Sequence, residues 1–162
     1  MRLISSNAKS SNLQGVSVKN FEMFNSGGNK IQWGADDLII LDFWHTRCSA
    51  CYTNFPHFED LKETFEQKPN LKFYSVNAPL PREVPDSSLA LFRDLGYDIT
   101  PAFVESREGL EKLFQFNSYP HYAVVHKNKI LFSGKFDFSP VILTNRPEQI
   151  IRNILFELEQ EK

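Results

Sequence analysis

The sequence predicts an α/β fold, a mostly parallel sheet with helices on both faces and an antiparallel edge. Three observations carry that prediction. Leu38–Phe43 is an apolar run broken only by Asp42, as expected of a central strand buried on both sides. After it, strand-like segments alternate with segments of helical apolar spacing. The alternation closes with a hairpin and a last helix, which adds an antiparallel pair to the sheet. At 162 residues, with 14% aromatic residues including fifteen Phe, the chain has the length and core material for one domain.

The elements follow in order. Ser5 to Gln14 is polar and rich in Ser and Asn, so residues 1–15 read as a flexible lead-in to a single domain over residues 16–162. Val16 to Phe24 alternates in part, and Asn25-Ser26-Gly27-Gly28-Asn29 turns it toward Lys30–Trp33. That predicts a short strand or hairpin outside the main sheet. Beyond the central strand, Cys51, Phe55, Phe58, Leu61 and Phe65 recur at steps of four, three, three and four, one face of a helix reaching about Gln67. Pro56 falls inside it and predicts a kink.

Leu71–Asn77 is the next strand. Pro79, Pro81 and Pro85 stiffen the following loop. Ser87 or Ser88 is the expected cap of a helix carrying Leu89, Phe92 and Leu95 and ended by Gly96. Ile99–Val104 reads as a strand, and Ser106 caps a helix with Leu110, Leu113 and Phe114. His121–Val125 and Ile130–Ser133 pair across Lys127-Asn128. Asn145 with Glu148 resembles a capping box for the final helix, whose apolar face is Ile150, Ile151, Ile154, Leu155 and Leu158.

The chain's two cysteines, Cys48 and Cys51, stand where the central strand turns into the first helix. Thiols three positions apart can close a small disulfide across a helix's first turn, and the helix N-terminus favours the thiolate of the first. A zinc site would need further ligands, and no second cysteine pair exists among residues that include only four histidines. Tyr52 occupies the place where covalent haem attachment needs a histidine. A redox dithiol is therefore expected, with metal binding and two inert thiols as the alternatives. The net charge of −2 offers no footprint for nucleic acid, and no apolar run is long enough to span a membrane. The start of the chain carries no signal-peptide pattern, which leaves a cytoplasmic protein or one whose leader or anchor is absent from this sequence.

With the dithiol placed on this order of elements, the sequence resembles the thioredoxin-fold proteins, and most closely the TlpA/ResA-like thiol–disulfide oxidoreductases of the bacterial cell envelope. The likeness rests on Asp42-Phe43-Trp44-His45-Thr46-Arg47-Cys48-Ser49-Ala50-Cys51, on Pro56, and on Tyr119-Pro120 ahead of the hairpin. It implies a thioredoxin fold with an inserted helix–strand unit between Cys51 and Pro120, and a cis peptide bond at Pro120. The sequence departs from the family at Arg47, where Trp is usual, at Ser49-Ala50, which lacks a proline, and at Tyr119 and His121. Members serving cytochrome c maturation carry an acid soon after the strand matching Leu71–Asn77. Here Ala78-Pro79-Leu80 follows, with Glu83 the nearest acid.

The roles expected are these. Cys48, at the exposed end of the turn, is the nucleophile, and Cys51 resolves the mixed disulfide. Asp42, a carboxyl inside an apolar strand, exchanges a proton with Cys51; its bland alternative is a carboxyl bonded at a strand end. Tyr119 and Pro120 pair with an extended substrate segment, as the resemblance implies. Trp44 and Arg47 complete the substrate-facing set, although Trp44 also suits packing beneath the turn and Arg47 a solvated charge. His45 and His57 read as surface or packing residues. The expected protein is a monomer that reduces or isomerises protein disulfides without a cofactor or metal, drawing on an electron-donating redox partner, at the cell envelope. Its rivals are a Cu(I)-handling protein using the same cysteines and a catalytically idle thioredoxin-fold interaction module.

Overall fold

The computed structural model describes residues 13–139 and 146–162. Its elements run β1 (Leu38–Trp44), α1 (Ser49–Thr64), β2 (Leu71–Asn77), α2 (Pro85–Asp94), β3 (Thr100–Phe103), α3 (Arg107–Phe114), β4 (His121–His126), β5 (Lys129–Gly134) and α4 (Pro147–Gln160). The five strands form one sheet in the order β3-β2-β1-β4-β5. β1, β2 and β3 are parallel, β4 runs antiparallel to β1, and β5, antiparallel to β4, returns to the direction of the first three. All seven residues of β1 are buried, because helices or packed chain cover it on both sides. The helix–strand unit α2–β3 adds the far parallel edge. Pro101 is tolerated in β3 because an edge strand can spare a donor.

Strand alternation divides the core in two. Ile40 and Trp44 face α1, α2 and α4, meeting Phe55, Phe58, Phe92, Ile150, Ile151 and Ile154. Ile39, Leu41 and Phe43 face α3, meeting Leu110 and Phe114. One helix cannot cover that second face. Leu13, Val18, Phe21 and Met23 from the irregular N-terminal stretch complete it.

That stretch departs from the sequence reading. No regular strand forms over the described residues before β1. The turn at Asn25–Gly28 leaves a single bridge, Phe24 to Lys30. Rather than standing apart, Phe24 also bridges Phe103 of β3, and Ser17 bridges Lys129 of β5, so the segment touches both edges of the sheet. Packing begins ahead of residue 16. Leu13 is buried, and Gly15 N–H donates to the Ile130 carbonyl at 2.7 Å.

Three helix starts repay attention. α3 is capped by Ser106 as expected, its Oγ accepting from Gly109 N–H at 2.9 Å. α2 is not capped by Ser87 or Ser88. Val84 is its N-cap and Pro85 its first residue, since Pro needs no donor there and already has helical φ. α4 likewise starts on Arg146 and Pro147, and the expected Asn145 cap lies outside the described residues. Gly96 closes α2 at φ +74°, and Lys127 and Asn128 both take positive φ in the two-residue hairpin turn. α1 runs continuously through Pro56, although the proline removes the donor that the Tyr52 carbonyl would have received.

Candidate functional site

The parallel sheet delivers β1 straight into α1 through the turn His45–Arg47, and that turn presents the cysteines. Cys48 is the N-cap of α1. It is joined to Cys51 by a disulfide with S–S 2.12 Å and Cα–Cα 5.3 Å. Cys48 Sγ also accepts the Cys51 N–H at 3.1 Å, so a charge on that sulfur would face an unsatisfied helix N-terminus. Both cysteines are buried in the disulfide, Cys48 at 7% exposure and Cys51 at 1%. The expected contrast between an exposed and a covered thiol is therefore small. Arg47, Ser49 and Ala50 are the exposed residues around them.

Trp44 takes the packing place beneath the turn that the sequence also allows it. It is 1% exposed and wedged edge-on against Phe55 at 5.3 Å, with Tyr52 and Phe92 at 6.2 and 5.7 Å. It floors the turn and cannot reach a substrate. Its place on the inward face of β1 follows from alternation with Ile40 and Asp42. Arg47 is exposed on the turn and projects charge toward His45. Tyr52 Oη, one turn into α1, donates to the Thr46 carbonyl and ties the turn to the helix.

Asp42 is fully buried, on the same face of β1 as Trp44 and so beneath α1 with Cys51. Ser75 and Tyr122 are its register partners in β2 and β4. Burial pushes its pKa well above the ordinary carboxylate value, and the nearby Ser75 hydroxyl offsets only part of that. In strict geometry neither carboxyl oxygen completes a hydrogen bond among the described residues. Asp42 is a buried protonatable group with the Ser75 hydroxyl beside it, on the side of the sheet where Cys51 sits.

The Tyr119–Pro120 peptide bond is cis, and Pro120 is buried at the start of β4. Lys135 Nζ donates to the carbonyls of Ser118, at 2.7 Å, and of Pro120, which fixes the loop from below. Tyr119 is half-buried, and burial with the nearby Glu111 raises its phenol pKa. Its ring meets His45 edge-on at 4.8 Å, so the two loops of the site touch through these rings. His121 is buried, hydrogen-bonded to Ser133 Oγ at 2.9 Å and stacked on Phe116 at 4.2 Å. Burial first, and Lys135 second, lowers its pKa to about 3, so it is neutral at physiological pH.

The structure thus sets Cys48, Cys51 and Arg47 on one turn, joins that turn to the Tyr119–Pro120 loop through the His45–Tyr119 ring contact, and places Asp42 on the α1 face of β1. Sequence reasoning missed His45, Tyr52 and Lys135. A hint for His45 was present, since it lies three residues before Cys48, but its partners are a main-chain N–H and a ring far along the chain. Among the described residues no three or more His, Cys, Asp or Glu side chains gather to hold a metal ion. No helix among them is long and apolar enough to cross a membrane.

A strand–turn–helix bearing Cys-x-x-Cys, a cis-proline loop and this sheet order define a thioredoxin fold, and comparison with solved structures agrees. The chain is similar to the thioredoxin domain of a thiol–disulfide oxidoreductase from Bacteroides vulgatus, at TM-score 0.62 and 16% identity over 91% of this chain and 99% of that one. It is similar to the exposed lipoprotein thioredoxin of Streptococcus pneumoniae, at TM-score 0.64 and 18% identity over 85% and 98%. A thiol–disulfide oxidoreductase from Bacteroides fragilis matches at TM-score 0.63 and 13% identity over 88% and 98%. By sequence the chain matches no protein-family model and no curated protein.

Proposed function

We propose that this protein is a thiol–disulfide oxidoreductase that reduces or isomerises disulfides of other proteins. The observation that carries the reading is the Cys48–Cys51 disulfide at the N-terminus of α1, with the Cys48 sulfur aimed at the Cys51 N–H. In the reduced protein, Cys48 thiolate attacks one sulfur of a substrate disulfide. A mixed disulfide forms and the other substrate sulfur leaves as a thiolate. Cys51 then gives its proton to Asp42 and attacks Cys48 Sγ. That restores the Cys48–Cys51 disulfide, expels the second substrate thiolate and passes two electrons to the substrate. An electron-donating redox partner returns the dithiol to its reduced form. No cofactor enters this scheme.

The main chain beside Tyr119 is the place for an extended substrate segment, with Arg47 at its rim. A cell-envelope setting is supported by the likeness to the exposed pneumococcal lipoprotein. A single domain acting as a monomer fits the size of the chain.

Trapping tests the reading. Cys51→Ser should accumulate mixed disulfides with oxidised insulin, whereas Cys48→Ser should abolish turnover and trap nothing. Equal trapping by both variants would reverse the assignment of nucleophile. A wild type without reductase activity that holds Cu(I) against a chelator would favour the copper-handling alternative. Neither activity would favour the interaction module.

A further inference from the structure

His45 is bonded twice within the active-site turn and touches the loop opposite. Its carbonyl accepts the Cys48 N–H at 3.2 Å, and its Nδ1 accepts the Arg47 N–H at 3.1 Å. Its ring stands edge-on to Tyr119 at 4.8 Å, with the rings 79° apart. Tyr119 is backed in turn by Phe116 at 5.1 Å. A side-chain acceptor that captures the N–H two residues on reproduces what Asn and Asp do in tight turns. Imidazole can do this only when neutral, with its proton on Nε2. Burial keeps His45 toward the neutral form, helped by Arg107 and Arg47 and opposed by Glu83 and Glu111.

We propose that His45 is the positioning residue of the dithiol, accepting the Arg47 N–H and bracing Tyr119 so that Cys48 stays at the N-cap of α1 beside the substrate loop. This rests on the redox reading above. The physical link is short. Cys48 Sγ gains from the helix N-terminus only while it points at the Cys51 N–H, 3.1 Å away, and the turn that aims it is closed by His45.

The test uses reduced full-length protein. The Cys48 pKa is read from thiolate ultraviolet absorbance, and the rate with glutathione disulfide is measured at neutral pH. His45→Phe keeps a ring against Tyr119 but has no acceptor, and His45→Ala has neither. Both should raise the Cys48 pKa and slow attack by about three- to tenfold, the effect of one hydrogen bond. His45→Asn offers an amide oxygen to the same N–H and should stay within about twofold of wild type. A Phe variant equal to wild type, or an Asn variant no better than Ala, overturns the positioning role while the redox reading stands. A reduced wild type that fails to react with glutathione disulfide at any pH fails the redox reading and this inference with it.

Discussion

Asp42 of β1 and His121 of β4 are both buried and ionisable, yet the protein treats them in opposite ways. Asp42 pairs in register with Tyr122, the residue after His121, so the two groups lie on opposite faces of the sheet. His121 has a bond to Ser133 and a stack of Phe116 and Phe43, at 4.2 and 6.2 Å. Asp42 has no completed hydrogen bond and lies on the face occupied by α1 and Cys51. A buried polar group normally finds a partner, because leaving it unmatched costs about 1–3 kcal/mol. The satisfied imidazole is therefore structural. The unsatisfied carboxyl is what we assign to chemistry.

The comparison breaks most visibly at His121. His121→Ala removes a packed ring and one of the two hydrogen bonds of Ser133, so stability should fall by about 3 kcal/mol, while the reduced dithiol keeps its pKa. Thermal melts and thiolate titration check both halves. The pH dependence has a definite sign. His121 titrates at about 3 in the folded protein, below its unfolded value of about 6.5. The unfolded chain takes up the proton first, so wild-type stability declines as pH falls from about 6.5 toward 3. His121→Gln should lose that part of the decline. Identical slopes in the two proteins would mean the imidazole is not held neutral.

Asp42→Asn should move stability the other way. Because the folded carboxyl has a raised pKa, the wild type pays nothing at low pH, where both states hold the proton. The penalty grows as pH rises above the ordinary carboxylate range. The variant should therefore be more stable than wild type by about 1–3 kcal/mol at alkaline pH, with the gain vanishing in acid. Release of the mixed disulfide should slow by about a hundredfold, as loss of a general base does. Denaturant melts at two pH values and single-turnover release measure these. A stability gain with unchanged release would leave Asp42 buried without a catalytic use.

Much of this was legible in the sequence where one segment carries its own signal. The apolar run of β1 announces a central strand, and the spacing of Cys51, Phe55, Phe58 and Leu61 gives the buried face of α1. The polar interruption at Asp42 was readable for the same reason. What escaped depends on contacts between distant segments or on backbone detail. Val16 to Phe24 alternates in part and turns toward Lys30–Trp33 like a hairpin, yet Val18, Phe21 and Met23 serve to cover the face that α3 leaves open, and no regular ladder forms. Whether Ser or Pro begins α2 is settled by Pro85, whose fixed φ outweighs a serine two positions later. His45 and Tyr119 meet only once the sheet brings their loops together.

The smallest expected effect sharpens the contrast most cleanly. Ser133 is buried in β5, where its hydroxyl meets the ring of His121 and reaches the Phe114 carbonyl at 3.4 Å. Ser133→Ala leaves the stacked imidazole in place and removes its hydrogen bond, which makes His121 resemble Asp42 in being buried and unmatched. Small size keeps the packing intact, so the loss should be about 1 kcal/mol, read from denaturant midpoints. Exchange activity should not change, because this face of the sheet serves structure. A matching loss of mixed-disulfide release would show that the two faces are coupled through β1 and β4, and the division of labour between Asp42 and His121 would then have to be abandoned.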